Sequence, residues 1–118
     1  MIYRMETPED LSQIFKDLPE NWVQFLTENC ANPRCYIIAE IDNGLIGYVV
    51  ALNSVVPPMS NYFTVLLEMG NSDRSIKVLK VEARRDGAAL IVKAAKEHSQ
   101  EMKDKGWIQE SVNLKMEL

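Results

Sequence analysis

Ile76-Lys77-Val78-Leu79-Lys80-Val81-Glu82-Ala83-Arg84-Arg85-Asp86-Gly87-Ala88-Ala89 is the stretch on which the fold turns. Its first part, Ile76 to Glu82, is rich in β-branched residues and reads as a strand, although it can also extend a following helix toward its N-terminus. A glycine inside one continuous helix costs about 1 kcal/mol relative to alanine, so Gly87 favours strand, turn, helix. The second part reads Arg84-x-x-Gly87-x-Ala89, and an amphipathic helix over roughly Ala88 to Lys103 is expected after it. Ile91, Ala94, Ala95, His98 and Met102 fall on one helical face, with Lys93, Lys96, Glu97, Gln100 and Glu101 mostly outside it. Lys105-Gly106 supplies a helix stop. A small-residue turn opening a helix can surround an anion with backbone N–H groups, and the helix dipole adds attraction. Arg84 and Arg85 at a helix start would oppose the dipole unless an anion were bound. The stretch therefore predicts a site for a phosphate-bearing cofactor.

Upstream, Ile2 to Met5 reads as a first strand. Thr7-Pro8-Glu9-Asp10 then opens a helix, with Thr7 as N-cap, Pro8 in the first turn and two acids beside it. Leu11, Ile14, Phe15 and Leu18 form its buried stripe, and Pro19 stops it or starts the next helix. Trp22, Val23, Phe25, Leu26 and Cys30 give a second short helix its apolar side. Asn32-Pro33 breaks the chain, and Cys35 to Ile41 is a strand. Asp42-Asn43-Gly44 is a hairpin turn because Asn-Gly tolerates positive φ, and Leu45 to Asn53 returns. Tyr62 to Met69 is a further strand, Gly70 to Asp73 a turn, and Trp107 to Met116 holds a last strand.

The chain of 118 residues suits one domain, residues 1–118, with a real core. Apolar residues at 47% and charged residues at 25% are the balance of a soluble globular protein. A net charge of -4 argues against nucleic acid as a bulk partner, despite a local basic patch of Lys77, Lys80, Arg84 and Arg85. No apolar run approaches the roughly 20 residues of a membrane span, and the first residues lack a signal peptide's apolar core. A cytoplasmic protein with no membrane partner is expected. Cys30 and Cys35 read as reduced thiols, at least one buried, and neither has a nearby histidine in sequence to activate it. The one histidine, His98, reads as a partly buried packing residue, and zinc would need more ligands than these.

The order strand, two helices, hairpin, further strand, Arg84-x-x-Gly87-x-Ala89, helix, strand resembles the GNAT superfamily of N-acetyltransferases. Residues 2–17 are similar to its opening strand and helix. Tyr36 to Tyr48, with Asp42-Asn43-Gly44 at its centre and Gly47-Tyr48 at its end, resembles its second and third strands. Arg84-x-x-Gly87-x-Ala89 matches the family's Q/R-x-x-G-x-G/A acetyl-CoA motif. The resemblance implies an α/β (α+β) fold: a mixed central sheet with helices on both faces, here lacking the usual C-terminal strand pair. An open sheet edge of that kind implies a homodimer. The family runs through one strand from its third strand into the motif, whereas two candidates stand here. If Tyr62–Met69 is the fourth strand, the phosphate turn is Gly70-Asn71-Ser72-Asp73-Arg74-Ser75 instead.

The resemblance further implies an acetyl-CoA-dependent N-acetyltransferase acting on a small-molecule or peptide amine. Backbone N–H groups of Arg85, Asp86, Gly87, Ala88 and Ala89 would hold the pyrophosphate, with charge from Arg84 and Arg85. Leu79, Lys80 and Val81 would pair with the pantetheine arm. The family's C-terminal tyrosine acid has no counterpart here. Glu82, at the strand end, and Glu68, in an apolar strand, are the candidate general bases. Such carboxylates are more often solvated charges or lysine partners. The alternative is a non-catalytic dimeric binding or structural module on the same scaffold.

Overall fold

The computed structural model describes residues 1–56, 60–94, 108–110 and 113–118. Among the described residues, seven strands form one sheet in the order β1-β2-β3-β4-β5-β7-β6. They are β1 (Ile2–Arg4), β2 (Cys35–Ile41), β3 (Leu45–Val56), β4 (Ser60–Gly70), β5 (Leu90–Ala94), β6 (Ile108–Glu110) and β7 (Asn113–Glu117). All neighbours are antiparallel except β4 and β5, which run parallel. The hairpin turn between β2 and β3 forms where the sequence places it, with Asn43 at φ 55° and Gly44 at φ 125°.

Helices cover both faces. Helix α1 (Pro8–Leu11) is capped by Thr7, whose hydroxyl accepts from the Asp10 N–H. It is shorter than the apolar stripe suggests: the chain turns after Leu11 and makes a 3-10 turn at Phe15–Asp17. Leu11 and Ile14 are still buried. Helix α2 (Glu20–Asn29) follows Pro19. Leu11, Ile14, Leu26 and Cys30 pack with Ile37, Ala39, Tyr48 and Val50 on one face of the sheet. On the other face, Ile76, Leu79 and Ala83 of α3 (Asp73–Arg85) pack against Tyr36, Ile38, Val49, Phe63 and Ile91.

Helix α3 corrects the reading of Ile76–Glu82 as a strand. Strand alternation there would mix apolar and charged residues on both faces. Helical spacing instead gathers Ser75, Ile76, Leu79 and Ala83 into one buried stripe. Asp73 lies in the first turn and Arg84 and Arg85 in the last, each on the favourable end of the dipole. Gly87, at φ 80°, ends the helix rather than opening one. Its N–H bonds the Arg84 carbonyl and the Ala88 N–H bonds the Ala83 carbonyl, the paired bonds of a glycine helix stop.

The expected helix over Ala88–Lys103 is corrected in the same way, because β5 occupies Leu90–Ala94. His98, Gly106, Trp107 and the rest of that expected helix lie outside the described residues. The sheet also does not lack its closing strands. β7 pairs β5 from Leu90↔Glu117 to Ala94↔Asn113, and β6 pairs β7. The missing strand pair from which an open edge and a homodimer are expected is thus present, as β6 and β7.

Candidate functional site

Strands β4 and β5 pair only from Tyr62↔Leu90 to Thr64↔Val92. Beyond that point the ladder ends, although β5 runs on to Ala94 and β4 to Gly70. The register of β4 against β3 shifts just after this point, between Val50 and Ala51, leaving Leu66 as the extra residue. The backbone edge of β4 from Val65 to Gly70 is therefore outside the ladder with β5 among the described residues, and the two parallel strands part there, giving a candidate cleft.

Helix α3 begins at the end of that cleft. Gly70 turns the chain at φ 64°, and a side chain there would meet the Ile46 carbonyl oxygen at 2.5 Å. A Cβ on Gly47 would fall 2.2 Å from the Asn71 carbonyl oxygen. The turn thus lies directly on β3, tied by the Asn71 N–H to the Ile46 carbonyl at 3.0 Å. The Ile76 N–H makes the first full helical bond, to the Ser72 carbonyl. Helix geometry leaves the N–H groups of Arg74 and Ser75 outside the intrahelical ladder. That of Asp73 bonds the Asn71 side-chain oxygen at 3.3 Å. Ser75 is fully buried and its hydroxyl has no hydrogen-bond partner among the described residues.

Three side chains meet at the mouth of the cleft. Glu68 of β4 pairs with Val49, which places it on the α3 face of the sheet. Its Oε1 accepts from the Ser72 hydroxyl at 2.9 Å, and its Oε2 accepts from Lys93 Nζ of β5 at 2.7 Å. Lys93 is 7% exposed and Glu68 23%. This ion pair spans β4 and β5 beyond their last paired residues. Nearby, the buried carboxylate of Glu40 on β2 is bound by Arg74 Nη1 at 3.1 Å.

The other site residues expected from the sequence are elsewhere. Leu79, Lys80 and Val81 lie within α3, so their backbone groups belong to the helix and cannot pair with an extended ligand. Glu82 bonds Arg85 at 3.2 Å, roughly 13 Å along the helix axis from Asp73 and the cleft. The N–H groups of Asp86, Gly87, Ala88 and Ala89 bond the carbonyls of Glu82, Arg84, Ala83 and Asn61. None is left for a phosphate, and Arg84 and Arg85 sit at the carbonyl end of the helix. Of the first set of expected site residues, Glu68 stands here, and so does the alternative turn Gly70–Ser75, which contains Ser72 and leads into α3. The sequence reading gives Lys93 no site role. The signal for Lys93 was present: a glycine stop before Leu90-Ile91-Val92 announces a strand, not a helix.

The helix end is held by a separate cluster. The Tyr36 hydroxyl donates to the Asp86 carboxylate, and the Arg4 guanidinium lies 3.8 Å over the Tyr36 ring. Burial first, and then the bond to Asp86, pushes the Tyr36 hydroxyl up to about 12. Asn61 bridges from Asn53 to the Asp86 carbonyl. Cys30 and Cys35 are both buried and unbridged. Burial raises the Cys35 thiol to about 11 against the pull of Arg4, which keeps it protonated and unreactive at neutral pH.

No family model and no curated protein matches the sequence. Solved structures do match the fold. The GNAT domain of S. lividans PAT aligns with TM-score 0.74 and 13% identity over 99% of this chain and 89% of that one. The aminoglycoside antibiotic 6'-N-acetyltransferase from Acinetobacter baumannii aligns with TM-score 0.71 and 11% identity over 92% and 90%. The NatC complex bound to Gag peptide and CoA aligns with TM-score 0.67 and 13% identity over 100% and 98%. Likeness at such identity speaks for architecture alone, and the architecture is that of the GNAT acetyltransferases.

Proposed function

We propose that this chain binds acetyl-CoA in the cleft between β4 and β5 and transfers its acetyl group to an amine. The observation that carries the reading is the early end of the parallel β4–β5 ladder with the N-terminus of α3 at its mouth. Structures of the same architecture that are acetyltransferases, one of them holding CoA, support it.

The residues present fit such a ligand. The N–H groups of Arg74 and Ser75 and the dipole of a 13-residue helix suit a pyrophosphate. The orphaned Ser75 hydroxyl lies in the same turn. The edge of β4 from Val65 to Gly70, which pairs with no described residue of β5, suits the amides of a pantetheine arm. Asp73 opposes the fit, because its carboxylate already occupies the positive end of the helix. Gly70-Asn71-Ser72-Asp73-Arg74-Ser75 also lacks the Q/R-x-x-G-x-G/A spacing. When bound, acetyl-CoA supplies an activated acyl thioester. In this reading Glu68 takes the proton from an amine between β4 and β5, a role supported by its contact with Lys93 Nζ, and Glu82 lies too far along α3 to do so.

Calorimetry with acetyl-CoA tests the reading, since a ligand bound only by the folded state also raises Tm. Binding and turnover of amine acceptors are expected. Absence of binding at millimolar acetyl-CoA would remove the function. One observation favours a second reading, a non-catalytic module: both oxygens of Glu68 are engaged, by Ser72 and by Lys93. Binding without turnover on any amine would select it.

A further inference from the structure

The amine nearest to Glu68 belongs to the protein itself. Lys93 Nζ lies 2.7 Å from Glu68 Oε2, across β4 and β5 beyond their last paired residues, and the Lys93 side chain is almost wholly buried. A buried lysine costs desolvation unless paired, and one of its partners here is Glu68, the carboxylate proposed above as the base. We propose that Lys93 is an internal acyl acceptor, acetylated by the chain's own bound acetyl-CoA. The inference rests on the reading of the cleft as an acyl-CoA site.

The step balances. Glu68 takes one proton from the Lys93 ammonium, freeing the nitrogen lone pair. The nitrogen bonds the acyl carbon while the carbon–sulfur bond breaks. The second nitrogen proton goes to the departing thiolate, and Glu68 later releases its own proton to water. The products are an acetamide on Lys93, free CoA thiol and one proton. Burial gives the step its selectivity. Lys77, exposed on α3, is open to any acylating reagent in solution, whereas the Lys93 side chain is only 7% exposed. The product is neutral and no longer pairs with Glu68, so modification replaces the strut between β4 and β5 by an uncharged group.

The test uses the whole chain, acetyl-CoA and peptide mass spectrometry, with calorimetry on the same samples. The expected result is one acetyl group, at Lys93, ahead of Lys77. Glu68→Gln should slow the modification on the order of 100-fold, the usual worth of a general base, while acetyl-CoA still binds. Lys93→Arg, which keeps the charge, should bind acetyl-CoA and gain no acetyl group in the cleft. A bulk acylating reagent should reverse the order, modifying Lys77 and sparing Lys93. Binding without an adduct at Lys93 would overturn this inference alone, as would adducts spread over surface lysines and insensitive to Glu68→Gln. Failure of acetyl-CoA to bind would overturn both this and the proposed function.

Discussion

Asp73 decides how well the start of α3 receives an anion. Its carboxylate shares the positive end of the helix with any phosphate bound there. Asp73→Asn should therefore tighten acetyl-CoA binding by roughly 0.3–1 kcal/mol, the scale of one charge at a helix terminus. Calorimetry reads the change, and unchanged affinity would put the phosphates away from this turn. Tyr36 sets a different limit. Its hydroxyl ionises at about 12 in the fold against an ordinary 10.0, so its contribution to stability is complete below 10.0. Between 10.0 and about 12 the unfolded chain ionises first, and the contribution is lost as pH rises. Tyr36→Phe should flatten the fall of Tm across that window, and parallel curves for the two proteins would show that the hydroxyl is not responsible. Single residues were partly legible. Thr7 as a cap and Asn43-Gly44 as a turn follow from local chemistry, whereas the pairing of Lys93 with Glu68, far from it in sequence, does not.

Among the elements, α3 was the hardest to read and the most consequential. Its β-branched residues argue for a strand, but helix propensities differ by less than 1 kcal/mol among ordinary residues, and a buried stripe overrides them. Extending the window back to Ser75 and forward to Ala83 shows the helical period that Ile76–Glu82 alone conceals. Gly87 then changes role, from a phosphate turn to a helix stop. Gly87→Ala should cost about 1–2 kcal/mol for the left-handed conformation and leave acetyl-CoA binding intact. A Cβ there would meet only Asn61 Nδ2, at an ordinary 3.7 Å. Gly47→Ala should cost more and weaken binding as well, since the new methyl collides with the Asn71 backbone at the start of α3. Denaturant unfolding and calorimetry on the two variants separate these outcomes. Lost binding in Gly87→Ala would return the site to Arg84–Ala89.

At the scale of the whole molecule, the sheet depends on strands from both ends of the chain. β7 covers β5, and Met116 joins Phe63, Leu79 and Ile91 in the core under α3. Removing residues 108–118 should expose the β5 edge and open this core, giving an aggregated or unfolded chain in sedimentation and circular dichroism. A folded monomer would mean that the hairpin of β6 and β7 is dispensable. By itself the sequence determined the hairpin of β2 and β3, the Thr7 cap and the two helices before β2, and their order is that of the resembling architecture. These rest on interactions between residues close in the chain, where periodicity and turn chemistry act directly. Only the tertiary structure decided that α3 is a helix, that β4 and β5 part after Thr64 and Val92, and that Glu68 meets Lys93. Those features arise from strand pairing and side-chain burial between distant segments, which no local pattern encodes.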